Sequence, residues 1–312
     1  MTALLEIKQY IRKFYIKNEV YITYFWKFLL ALISIAVINS KLGFMSSLNN
    51  IAIVLMASLL CAILPANFIV VVSALFILGH LYSLSAECAL IAFVVFALMF
   101  LLYFRFSPKD TLAVLLTPLL FFLHIPYVVP IAAGLIGTPV SIVSVSFGLV
   151  ISFMISYFSS NTVGTGAENV EAAATEFKTM ISGMLGNKAM LVMIVAFAIT
   201  IAVVYVIRRS SMDNCWKIAI TTGAIVLAIV TIIGSVATKA DISIPGVILG
   251  TIVSAILTLA IEFFSFNLDY SRTEKVQFED DDYYYYVKAV PKVTLTAPDR
   301  RVKKINRAKG QR

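Results

Sequence analysis

Charge is scarce in this chain. Asp, Glu, Lys and Arg make up 13% of its 312 residues, against about 25% in soluble domains, so it cannot present an ordinary wet surface along its length. Metal and redox chemistry are poorly supplied too. There are three cysteines and two histidines, with no C-x-x-C and no His/Cys cluster, so neither a disulfide framework nor a zinc site is indicated. Buried thiols of this kind behave as small hydrophobes. No Walker-type lysine loop, Ser/His/Asp set or H-E-x-x-H arrangement occurs, so the chain reads as a non-enzyme with no cofactor. No acidic residue falls in the middle of a hydrophobic segment, which argues against a proton pump built on carboxylate relays.

Hydrocarbon is abundant. Hydrophobic residues make up 60% of the chain and the mean hydropathy is +0.93. Apolar runs cover 28–38, 51–64, 68–78, 88–104, 112–123, 131–158, 189–207, 218–236 and 247–264. A helix needs roughly 20 residues to cross a hydrocarbon core of about 30 Å. The runs predict an all-α polytopic protein of the lipid bilayer with about 8–10 membrane segments. The first run has a long approach and no small-x-small site after it, so it reads as a retained span rather than a signal peptide. Ahead of it, residues 1–24 form a basic arm. Leu4, Ile7, Ile11 and Phe14 repeat at helical spacing with Lys8, Arg12 and Lys17 off that stripe. That pattern fits a helix lying on an anionic membrane surface, and equally one that simply continues into the first span.

Lysine and arginine orient the spans. One set of connections holds Lys8, Arg12, Lys13 and Lys17, then Arg105 and Lys109, then Arg208, Arg209 and Lys217, then the basic tail. The alternate connections hold only Lys41, Lys178, Lys188 and Lys239, beside Glu87, Glu168, Glu171, Glu176 and Asp241. Placing the first set in the cytoplasm puts both termini there. The membrane domain then spans 25–266, and its 160–188 loop, with Val170, Ala174, Phe177, Ile181 and Met184 at helical spacing, is an expected extracytoplasmic amphipathic helix.

The middle of the chain is broken by proline. Thr117-Pro118 and Thr138-Pro139 interrupt neighbouring apolar segments, with Pro126 and Pro130 between them. We expect one span, a short broken or re-entrant hairpin, then another full span. Non-helical backbone at membrane depth is tolerated only where protein buries it or where it lines a water-filled cavity, and paired broken segments point to transporter sites. Ordinary proline kinks are the plainer reading. The candidate path comprises Pro118, His124, Pro126, Pro130, Thr138, Pro139, Ser141 and Ser144, with Glu262 as a gate or ion-coupling carboxylate at the cytoplasmic boundary. His124 coincides with the broken backbone. His80, at a segment end, needs no role.

Two helical faces are built of small residues: Ser141, Ser144, Gly148, Ser152, Ser156 and Ser159 on one, and Gly246, Gly250, Ser254 and Thr258 on the other. Small residues let helix backbones approach closely. Helix packing is therefore assigned to Gly148, Ser152, Ser156, Gly246, Gly250, Ser254 and Thr258, with a polar path along these faces as the alternative.

After 266 the composition changes. The 267–312 tail holds FEDDDYYYYVKAVPK and ends in RRVKKINRAKGQR. It is too short for a sizeable core, but 276–278 and 283–290 are rich in strand formers around an acidic turn. An isolated hairpin is marginal in water, so Tyr283, Tyr284, Tyr285, Tyr286 and Lys288 are expected to dock on a cytoplasmic protein partner or on a second copy of the chain. An interfacial tyrosine belt with the basic end on anionic lipid, or tyrosine phosphorylation, would use the same residues. No nucleic-acid partner is expected, since only charge would support one.

The run LYFRFSPKDTLAVLLTPLLFFLHIPYVVPIAAGLIGTPVSIVSV and the tail VQFEDDDYYYYVKAVPK resemble an uncharacterised multi-pass membrane family of Gram-positive bacteria whose members are often labelled permeases. The resemblance implies a bacterial cytoplasmic membrane and carries over no substrate and no functional residue. A second comparison fails. Glu171-Ala172-Ala173 matches the start of the coupling loop of ABC importer permeases, but Phe177 stands at the nearest glycine position and the charge pattern puts the loop outside. Two functions are left: a transporter with its path through 116–144, or a non-transporting membrane subunit or scaffold whose tail recruits a cytoplasmic partner.

Overall fold

The computed structural model describes residues 2–160, 182–183, 186–265, 274–279 and 284–289. The chain forms two compact units, one of Asn18–Ser265 and one of Met1–Lys17 with Phe266–Arg312. The second unit contains helix α1 (Thr2–Lys17) and an antiparallel hairpin of β1 (Glu274–Glu279) and β2 (Tyr284–Ala289). Along α1, Ile7, Ile11 and Phe14 are exposed, an apolar stripe of the kind that lies in a membrane surface. Partial burial, and then the charge of Arg12, lower the pKa of Lys8 on the same helix. The hairpin pairs Gln277 with Tyr286 and Val276 with Val287, and leaves Tyr284, Tyr286 and Lys288 exposed. Tyr283 and most of the expected outer loop lie outside the described residues.

Among the described residues the larger unit has ten helices: α2 (Glu19–Lys41), α3 (Ile51–Ile63), α4 (Asn67–Leu84), α5 (Ala86–Phe106), α6 (Thr111–Phe122), α7 (Val128–Ile136), α8 (Ser141–Ser160), α9 (Lys188–Arg208), α10 (Cys215–Thr238) and α11 (Ile244–Ser265). Seven of them, α2, α4, α5, α8, α9, α10 and α11, are long and apolar enough to cross a membrane. Large apolar side chains such as Leu98, Leu101, Ile233 and Leu249 stand exposed on their outer faces, as lipid requires and water does not favour. The protein is an all-α, multi-pass membrane protein.

Side-chain bonds show how the helices alternate. At one end Lys27 donates to Leu64 O, Tyr103 meets Asn67 and Thr111, Asp110 meets Ser141, and Arg208 donates to Leu135 O. At the other end Asn39 meets His80 and Leu48, and the Lys41 ammonium lies over the Phe122 ring. Thus α3 returns alongside α2. The short helices α6 and α7 leave the Asp110 end and come back to it, turning at 123–127, before α8 departs from that same end. Pro130 falls in the first turn of α7, where the missing N–H has no helical partner to lose.

Two apolar cores share α8, of which half is buried, the largest share among the long helices. One core joins α2, α3, α4, α5 and α6 to Ile151, Met154, Ile155 and Phe158 of α8. The other joins α7, α9, α10 and α11 to Val145 and Leu149. His80, fully buried, is part of the frame. Its Nδ1 accepts from Met45 N, so Nε2 carries the hydrogen and donates to Asn39 Oδ1 at 2.8 Å. Asn39 in turn donates to Leu48 O, holding the 42–50 connection against α2 and α4.

Candidate functional site

The site begins with a helix that cannot complete its bonding. Pro118 lies inside α6 and has no N–H, so the Val114 carbonyl four residues back loses its usual donor. The Thr117 hydroxyl bonds to Ala113 O at 2.6 Å, a further perturbation of the same turn. Gly148 of α8 packs directly on this turn. A Cβ there would sit 2.4 Å from Thr117 Cβ and 2.9 Å from Val114 O, so glycine is what lets α6 and α8 touch.

Alongside that contact a cavity of about 200 Å³ opens between α2, α4, α5, α6 and α8. Its wall is mainly apolar and aromatic, with Phe96, Phe100, Tyr103, Phe121, Phe122 and Phe147 among the lining side chains. The polar members are Ser34, Ser73, Ser152, Ser156, Lys41 and His124; the described residues that line it include no Asp or Glu. Ser34 and Ser152 donate to the carbonyls of Leu30 and Gly148. Ser73, only 7% exposed, has an Oγ with no hydrogen-bond partner. A buried hydroxyl left unpaired in an apolar wall costs about 1–3 kcal/mol.

The two ends of the cavity differ. Lys41, Phe122, His124 and Ser156 are exposed, and all lie toward the ends of their helices opposite Asp110. The floor is Tyr103, 1% exposed. Thr111 uses its hydrogen on Asn67 Oδ1, so the Tyr103 hydroxyl donates to Thr111 Oγ1 at 3.1 Å. Beside it Ser141 donates to Asp110 Oδ2 at 2.7 Å and Ser144 to Ser107 Oγ at 2.7 Å. These bonds tie α4, α5, α6 and α8 together at the Asp110 end.

His124 holds a left-handed backbone, φ 61°. It ends α6 in a Schellman arrangement, Ile125 N bonding to Leu120 O and His124 N to Phe121 O, and Pro126 follows. Glycine or asparagine usually fills that position, and another residue there costs about 1 kcal/mol or more. The chain thus keeps an imidazole at the mouth of the cavity despite the strain.

The predicted residues divide among three places. Pro118 and His124 line the cavity, and so do Ser152 and Ser156, read from their spacing as packing residues. Ser141 and Ser144 belong to the Asp110 end, with Thr138 and Pro139 exposed in the turn next to them, so the second Thr-Pro pair joins two helices and does not break one. Pro126 precedes α7 and Pro130 lies within it, both buried and away from the cavity. Glu262, half-buried on α11, is not among the lining residues. On the second small-residue face, Ser254 and Thr258 are fully buried and Gly250 meets the Tyr127 ring, but Gly246 is exposed with only Ser243 near it. Sequence reasoning missed Ser34, Ser73 and Lys41. The serines are single polar residues inside apolar runs, and Lys41 served there only to orient the chain.

Compared with family models, curated proteins and solved structures, the chain gives no match.

Proposed function

We propose that the chain is a permease-like transporter of a bacterial cytoplasmic membrane, with its solute or ion site in the cavity beside Pro118. The observation that carries this reading is the polarity of the cavity: exposed lining residues at the Lys41 end, and at the other a buried Tyr103 whose hydroxyl is held by Thr111, with the Asp110–Ser141 bond at the same end of the helices. A path that is open on one side and latched on the other is what alternating access needs in one of its states. The helices α6 and α7, about 18 and 13 Å long at 1.5 Å per residue, are both short of a 30 Å core and act as a re-entrant pair. The density of Lys and Arg supports a cytoplasmic Asp110 end and cytoplasmic termini. Exposed Tyr21, Tyr24 and Trp26 near Lys27 suit an interfacial belt at that face. Breaking the floor, with α6 flexing at Pro118, would then pass solute inward.

Thiol labelling in intact cells tests the reading. Cys61, Cys88 and Cys215 are replaced, and single cysteines placed at Ser73, Ser152, Val145 and Leu149. Reaction of a membrane-impermeant maleimide at Ser73→Cys and Ser152→Cys, with Val145→Cys and Leu149→Cys protected, is expected. Protection at all four positions would sink the transport reading. The second reading, a scaffold that recruits a cytoplasmic protein or another copy through its tail, is favoured by the exposed Tyr284, Tyr286 and Lys288 of the hairpin; it needs no reactive thiol in the cavity.

A further inference from the structure

We infer that the cavity takes a small amphipathic carboxylate, an aromatic or similarly compact apolar body whose anionic head meets Lys41 and His124 at the mouth. The inference rests on the cavity being the solute site. Volume sets the size: about 200 Å³ is room for roughly seven waters at about 30 Å³ each, or on the order of ten heavy atoms at interior packing density. The wall sets the body, because six aromatic rings and a larger number of aliphatic side chains line the space beside its few polar groups. The charge sets the head. Lys41 is the cation of the lining, lies over the Phe122 ring at 5.1 Å, and shares the wall with no carboxylate among the described residues. A free cation bound here would meet that ammonium with nothing to offset it, whereas a carboxylate would gain a charge-assisted bond in an apolar surround. The strained backbone of His124 sets an imidazole N–H beside the same opening.

Deeper in the wall, Ser73 supplies the remaining contact. Ser34 and Ser152 have already given their hydrogens to helix carbonyls, but Ser73 is more than nine-tenths buried and bonds to nothing. Its Oγ shows almost no surface in the structure, so a ligand hydroxyl or carbonyl distant from the head would pair with it once the Ser73 side chain turns into the cavity.

Three probes share one body and differ in the head: 4-hydroxyphenylacetate, tyramine and 4-hydroxyphenylethanol. The full chain carrying Ser152→Cys, with its native cysteines replaced, is placed in lipid nanodiscs and labelled with a neutral water-soluble maleimide. The expected result is that 4-hydroxyphenylacetate slows labelling and the other two do not. Lys41→Gln should weaken this protection about ten-fold, as loss of a charge-assisted bond implies, and Lys41→Arg should retain it. His124→Asn, which keeps a residue tolerant of the left-handed backbone, should weaken it several-fold. Equal protection by all three probes, protection by tyramine alone, or none by any of them, with the thiol still reactive, overturns the carboxylate inference and leaves the transport reading intact. A thiol that never reacts overturns both.

Discussion

The two halves of the membrane unit pack by different rules. In the half built on α7, α9, α10 and α11, four glycines meet branched or aromatic side chains. Val204 is wedged between Gly134 and Gly223, where added Cβ atoms would come within 2.8 Å and 2.3 Å of it, Gly234 meets Val192, and Gly250 meets Tyr127. In the half built on α2, α4, α5 and α6, fewer glycines do so, Gly79 on Leu48 and Gly148 of α8 on Thr117, and a cavity of about 200 Å³ remains. Van der Waals contact drives helix association in lipid, since tails are as apolar as leucine. The half with more of these close glycine contacts has less free volume to give to a ligand, and the half with fewer keeps a cavity. The candidate site lies in that half because it is the less completely packed.

The largest test of this contrast is Gly134→Val. Its Cβ would strike Val204 Cβ at 2.8 Å and approach Ile201 O to 3.0 Å, backbone that cannot swing aside. A loss of about 3 kcal/mol, at the upper end of overpacking costs, should appear as a strongly lowered thermal midpoint in detergent. Asn39→Ala comes next. It strips His80 of its acceptor and Leu48 O of its donor, and a drop of about 2 kcal/mol is expected by the same measurement. Enlargement in the other half should act with the opposite sign. Ala74→Leu, on the cavity wall, should raise stability by about 1 kcal/mol, as cavity filling commonly does, while abolishing labelling at Ser152→Cys. If it destabilises as Gly134→Val does, the cavity is not free volume and the contrast between the halves fails.

The smallest effect is the sharpest. Ser73 and Ser254 are the buried hydroxyls without a partner among the described residues, and they lie one in each half. Ser254→Ala should stabilise by up to about 1 kcal/mol, since an unpaired polar group leaves the interior, with no change in thiol protection by 4-hydroxyphenylacetate. Ser73→Ala should stabilise equally and weaken that protection. Identical behaviour of the two variants would show that Ser73 is merely a buried defect.

Much of the molecule was legible before any coordinates. Apolar runs of span length and the scarcity of charge require lipid, because no other environment satisfies such a surface without water. Pro118 announced a perturbed helix and the tyrosine-rich tail a hairpin, for these depend on local backbone chemistry. Even the serine face of α8 was visible as a face. What that face does was not: Ser141 and Ser144 latch onto Asp110 and Ser107, Gly148 packs on Thr117, and Ser152 and Ser156 open on the cavity. One spacing serves three purposes because each depends on which helix stands opposite, and periodicity says nothing about the neighbour. The same holds for Lys41, a topology marker in the sequence and the cation of a cavity in the fold. Sequence alone determined the solvent of this chain and its break at Pro118, through local forces; tertiary structure decided where helices touch and where they leave room, because those depend on the meeting of distant side chains.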